Sequence, residues 1–142
     1  MKIRVETPLK PTEDPDKVVR ALKNVLNVDY QVFGEGEDKK MVGEAEGLEH
    51  LRQLYEKLRG QYIVEAARGI LKKGIKGDEL TFFLNKQAAY VGKVHFCAPE
   101  RESPMGAIKV TIKSSKIDEV VEWLCPPTIN GKPQEAAPPT DA

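Results

Sequence analysis

"ELTFFLNKQAAYVGKVHFC", residues 79–97, changes its period twice, and the fold class turns on that change. "ELTFFLN" has the composition of a strand, with Phe82 and Leu84 at strand spacing. At Asn85 the pattern becomes helical. Asn85 is a capping residue, Ala88 and Ala89 permit close packing, and Gly92 can end one or two turns. "KVHFC" then returns to strand-like composition. Within residues 84–96 lie Asn85, Lys86, Gln87, Tyr90, Lys93 and His95, and no acidic residue. Such a segment is either a site that meets an anion or a polar turn beside a packed core, and residue types alone leave both open.

The same alternation of periods runs through the rest of the chain. In "KIRVETPL" Ile3 and Val5 alternate with charged residues, as in a half-buried strand. Residues 15–26 form a helix: Asp14 caps, Pro15 suits the first position, and Val18, Leu22, Val25 and Leu26 share a face. Residues 30–47 read as a hairpin around the acidic turn 35–38. Helical spacing covers residues 48–73, with Leu48, Leu51, Tyr55 and Leu58 in one phase and Ile63, Ala66, Ala67, Ile70 and Leu71 in a second. Gly60 between them ends or kinks the helix, and Gly74 and Gly77 close the region. "SPMG" is expected to turn the chain into the strand "AIKVTI", and residues 117–124 form a last helix. This order predicts an α+β fold, an antiparallel or mixed sheet with helices packed on one face. One domain over residues 1–125 and a Pro-rich, flexible tail over 126–142 are expected, because the tail has almost no large apolar residue to offset its ordering entropy.

The 142 residues carry 22 basic and 22 acidic side chains, so the whole molecule has no net attraction for nucleic acid or membrane. The distribution is uneven. Residues 57–96 hold eight Lys/Arg against Glu65, Asp78 and Glu79, whereas residues 35–56 hold seven acids against Lys39, Lys40 and Arg52. No apolar run is long enough to span a bilayer, and "MKIRVETP" lacks the apolar core of a signal peptide, so a cytoplasmic protein is expected. Cys97 and Cys125 have no framework spacing and suit reduced thiols.

Catalytic signatures are missing. Gly92-Lys93 is followed by Val94 and has no glycine at position 87, so it is not a P-loop, and "GEGEDKK" is acidic where a phosphate would sit. His95 and Cys97 supply two ligand types, but neither His50 nor Cys125 has the spacing to complete a zinc set. No enzyme activity, cofactor or metal is therefore expected. The basic constellation carries more. Gln61, Arg68 and Lys72 are placed on one polar helix face with Glu65, Arg59 precedes them, and Asn85, Lys86, Gln87, Tyr90 and Lys93 follow one strand later. Arg and Lys suit phosphates, Gln and Asn reach base edges, and Tyr stacks on an unpaired base. The plainer alternative is a solvated face in which Arg68 pairs with Glu65 one turn away.

"TPLKPTEDPDKVVRALKNV", "LRGQYIVEAARGIL", "FFLNKQAAYVGKVHF" and "SPMGAIKVTI" together resemble the blocks of a small archaeal family described as RNA-binding and as a predicted exosome-related protein. The blocks run in order over residues 2–112. The resemblance implies a fold like ribosomal protein L five, a homodimer, RNA as partner and a link to an RNA-processing complex. Gln61, Arg68, Asn85, Lys86, Gln87 and Lys93 match its recurrent polar positions, while Tyr62 and Ala107 stand where other residues are expected. The reading is thus a non-catalytic RNA-binding protein that touches RNA through Arg59, Gln61, Arg68, Lys72, Asn85, Lys86, Gln87, Tyr90 and Lys93. The alternative is a dimeric scaffold or adaptor that binds no nucleic acid.

Overall fold

The computed structural model describes residues 1–98 and 106–140. Strand β1 (Lys2–Leu9) pairs antiparallel with β3 (Asp38–Glu46) on one side and with β6 (Ala107–Lys113) on the other. Beyond β3 lies β2 (Tyr30–Glu35); beyond β6 come β5 (Glu79–Asn85) and the two-residue β4 (Ile75–Lys76). The six-stranded order is β2-β3-β1-β6-β5-β4, and every ladder is antiparallel, which decides between the antiparallel and mixed alternatives. The turn expected at Ser103–Pro104 lies outside the described residues.

Strand alternation sends Ile3, Val5, Leu9, Leu80, Phe82, Leu84, Ile108, Val110 and Ile112 to one face, where all are buried with the helices. The opposite face is charged and paired across strands. Arg4 donates to Glu44 at 2.6 Å, and Glu6 draws Arg4, Lys40 and Lys109 to within 3.3–3.9 Å. Partial burial works against the Glu6 charge, but Lys40, Arg4 and Lys109 outweigh it and hold the carboxyl below its ordinary range. On the outer hairpin, Gly43 stands opposite Tyr30; a Cβ there would lie 2.6 Å from the ring, so only glycine lets the aromatic cover the strand.

Helix α1 (Pro15–Lys23) begins as expected, with the Asp14 carboxylate accepting from the Asp16 N–H at 2.9 Å. The helical region 48–73 divides in two. A 3-10 turn over Leu48–Leu51 leads into α2 (Arg52–Gly60), and α3 (Val64–Lys73) follows. Helix α2 ends at Gly60, one of the two expected outcomes, and the chain turns at Tyr62, whose φ is 57°. The Tyr62 N–H donates to Arg59 O and the Ile63 N–H to Leu58 O, the crossed pair of bonds that closes a helix through one left-handed residue. Glycine is the usual occupant of that position; here it is a tyrosine. Leu51, Leu54, Leu58, Val64, Ala67 and Leu71 bury the inner sides of both helices. Truncating Leu58 to alanine would cost about 2–5 kcal/mol.

Helix α4 (Lys86–Tyr90) is the short capped turn after β5, and α5 (Ile117–Leu124) buries Ile117, Val120, Val121, Trp123 and Leu124. The Trp123 ring stacks on Tyr55 at 4.8 Å between centroids. The chain after Cys125 forms a small hairpin, β7 (Thr128–Ile129) with β8 (Lys132–Pro133), and Glu135 beyond it reaches Arg59. Most of residues 127–140 are exposed, and composition gives no sign of the ion pair that ties this tail to the domain. No helix among the described residues is long and apolar enough to cross a membrane.

Candidate nucleic-acid interface

The segment around α4 is held by side chains that the sequence marks as candidates for contact. Asn85 accepts from the Ala88 N–H through Oδ1 at 2.9 Å, so its amide is used as the cap. Lys86, expected to offer its charge to an anion, is instead fully buried. As the first residue of α4 it lies three positions before Ala89, and both turn inward. Its ammonium donates to Pro8 O and, at 3.0 Å, to Glu13 Oε1, and the Glu13 side chain is only 3% exposed. Burial pulls the Lys86 ammonium below its ordinary pKa, and the Glu13 carboxylate pushes back. The pair joins "PTEDPDKV" to "LNKQAAYVGKV" through the protein interior.

The flank of α2 carrying Lys57 and Gln61, one turn apart, grips the chain after α4. Lys57 Nζ donates to Gly92 O at 2.7 Å. The Gln61 amide donates to Val94 O and accepts from the Val94 N–H, both at 2.8 Å, as a neighbouring strand would. Gly92 takes a φ of 76°, which lets the chain turn back from α4 onto this flank. Beyond it, Asn85 N–H donates to His95 O and Cys97 N–H to Phe83 O, around a single bridge between Leu84 and Phe96. "KVHFC" therefore adds a bridge to β5 where a full strand is expected.

The other flank of α2 faces α5 and the tail. Arg59 donates from Nε and Nη2 to the two carboxylate oxygens of Glu135, at 3.0 and 2.6 Å, and from Nη1 to Leu124 O at 2.8 Å. On α3, Arg68 forms two 2.8 Å bonds to Glu122 and a third to Cys125 O, so its partner is on α5 and not the expected Glu65. These bonds hold the Arg68 guanidinium above, and the Glu122 carboxyl below, their ordinary ranges. Lys72 lies 3.9 Å from the same carboxylate and is half exposed.

The structure thus divides the nine candidates. Asn85, Lys86 and Gln61 hold backbone in place, while Arg59, Arg68 and Lys72 meet acids of α5 and the tail. Gln87, Tyr90 and Lys93 remain exposed, with the Tyr90 hydroxyl 3.4 Å from Glu13. Two residues the sequence does not single out for contact join these three, Tyr62 at 92% exposed and Val91 at 74%, and His95 of the same acid-free segment is also open to solvent. Tyr62 follows Gln61, the residue that grips Val94. The only advance sign of Tyr62 is that it stands where another residue is expected.

Comparison with known proteins agrees with this geometry in family and fold. A UPF0201 protein of Aeropyrum pernix is 44% identical over 94% of this chain and 90% of that protein. One from Sulfolobus acidocaldarius is 42% identical over 99% of both. The crystal structure of the UPF0201 protein from Methanococcus jannaschii superposes with a TM-score of 0.83 at 31% identity, covering 94% of this chain and 98% of that one. Residues 2–114 match the model of a family whose description is RNA binding. The chain belongs to this archaeal family.

Proposed function

We propose that the chain is a non-catalytic RNA-binding protein that meets single-stranded RNA where α2 ends and the segment after α4 crosses it. Tyr62 and Tyr90 offer ring faces for unpaired bases, Lys93 and Lys57 offer charge to phosphates, and Gln87 reaches base edges. Asn85, Lys86 and Gln61 act by positioning this segment, and Lys72 adds to the surrounding field. The observation that carries the reading is Tyr62. A non-glycine residue in the left-handed region costs about 1–2 kcal/mol, and here the ring so placed is almost wholly exposed. Packing does not account for the tyrosine; a stacking partner does. The family description supports the same ligand class.

The test is anisotropy of a labelled, single-stranded oligouridylate titrated with the full chain over a salt series. Two lysine–phosphate contacts give a log–log slope of about −1.4. Lys93→Ala reduces the slope by about 0.7 and weakens binding to all sequences alike. Tyr62→Ala weakens binding by about tenfold at unchanged slope, since stacking of one base contributes about 1–3 kcal/mol. Absence of binding at low salt refutes the proposal.

One observation favours a second reading, self-association. Strand β2 is the outer edge of the sheet, and its Val32 and Phe33 are 45% and 50% exposed. A second copy pairing along β2 would cover both side chains and the open backbone edge. Sedimentation of Phe33→Lys beside the parent chain tests this: the dimer model requires a shift to monomer.

A further inference from the structure

Arg59 and Tyr55 form an anion receptor, and we propose that its present occupant, the Glu135 carboxylate of the same chain, is an intramolecular competitor for an RNA phosphate. The inference rests on the RNA reading above and adds a second binding site and its control. The Arg59 guanidinium grips Glu135 through Nε and Nη2, and the Tyr55 hydroxyl donates to the same carboxylate at 3.1 Å. This is the two-pronged geometry that carboxylates and phosphates share.

The receptor does not depend on the tail for its shape. Arg59 lies over the Tyr55 ring at 3.4 Å, Tyr55 is stacked on Trp123, and Nη1 is fixed by Tyr55 O and Leu124 O. With only 17% of its side chain exposed, Arg59 is a preorganised cation whose two remaining nitrogens point at whatever fills the site. The tail, by contrast, is weakly held. Ile129 is 61% exposed, the flanking residues are mostly open, and the Glu135 side chain is 48% exposed. Besides Glu135, Lys116 Nζ donates to Thr140 O. An exposed ion pair is a contact that another anion can exchange.

Position supplies the ligand. Arg59, Tyr62, Val64 and Glu65 line a cavity of about 310 Å³ closed on its other side by Thr128, Pro133 and Glu135 of the tail. Tyr62, the proposed stacking residue, is part of this lining. An RNA strand on Tyr62 brings its next phosphate toward Arg59, and the hairpin must leave to admit it.

Trp123 is the single tryptophan, stacks directly on Tyr55 of the site, and reports its occupancy by fluorescence. In one arm, full-length wild type and Glu135→Gln are titrated with inorganic phosphate; in the other, with single-stranded oligouridylate. Removing the competing charge is expected to lower the half-saturating concentration about fivefold in both arms. RNA is also expected to speed amide exchange across residues 128–135 of the wild type. Identical titrations for the two proteins, or RNA binding that leaves tail exchange unchanged, overturn the proposal. A phosphate difference with no RNA binding by either protein supports the anion receptor and sinks the RNA reading. A fluorescence change that scales with protein concentration marks tail exchange between copies and overturns it.

Discussion

Replacing Lys86 by alanine tests whether "LNKQAAY" is a contact site or a buried joint. In the structure the Lys86 side chain has no exposed surface, and Glu13, its partner at 3.0 Å, is 3% exposed. Removal of Lys86 leaves a carboxylate in the interior without this cation, and breaking such a pair costs about 3–5 kcal/mol. That is at least a fifth of the ~5–15 kcal/mol that separates a typical domain from its unfolded state. For a chain of this length each kilocalorie per mole moves the melting temperature by about 2–4 °C, so a fall of about 6–20 °C is expected. Urea denaturation should show a lower midpoint at unchanged m value, as suits a loss in the native state. Lys86→Met combined with Glu13→Gln should recover most of the loss, because no charge is then stranded. The RNA salt slope of the folded fraction should not move. A Lys86→Ala chain within about 1 kcal/mol of the parent, with a slope reduced by about 0.7, would falsify the joint and restore Lys86 as a phosphate contact.

Tyr62→Gly relieves a left-handed φ at the price of a more flexible unfolded chain, so stability should stay level or rise by up to about 1 kcal/mol while RNA affinity falls. A stability loss above that size would show that the ring packs in solution. The bonds from Arg59 hold the Glu135 carboxyl below its ordinary pKa, so its contribution to docking is fully present above the ordinary carboxylate range. It is lost as pH falls through the depressed value. Trp123 fluorescence should therefore report tail release only in that acid window, and Glu135→Gln should abolish the transition. Cys125 is buried and its thiol is pushed up to about 12, so thiol reagents at mildly alkaline pH should reach it only on unfolding. Rapid labelling of native Cys125 would contradict the burial.

Much of the fold was legible because local chemistry and tertiary packing agree. Asp14-Pro15 starts α1, Asn85 caps α4, and the strands carrying Ile3, Phe82 and Ile108 lie in one antiparallel sheet. The site was less legible because charge along a sequence does not state which way a side chain points. Arg59 and Gln61 are two residues apart, and the helical turn sends one to the tail and the other to Val94. Arg68 pairs with Glu122, 54 positions away, a partner that no local spacing encodes. Lys86 reads as a surface cation until the β1–α1 connection folds Glu13 over it. Tyr62 was hidden for the opposite reason: Gly60 looks like the helix end, and the left-handed position falls two residues later on a tyrosine.

Photo-crosslinking of a thiouridine-substituted single-stranded RNA to the full chain, followed by peptide mapping, locates the surface that meets RNA. Crosslinks are expected only at the end of α2, at Tyr62, and at residues 87–95, with Tyr55 and Arg59 peptides joining them in Glu135→Gln. Crosslinks that map instead to the charged sheet face, on β1, β3 and β6, would contradict this expectation.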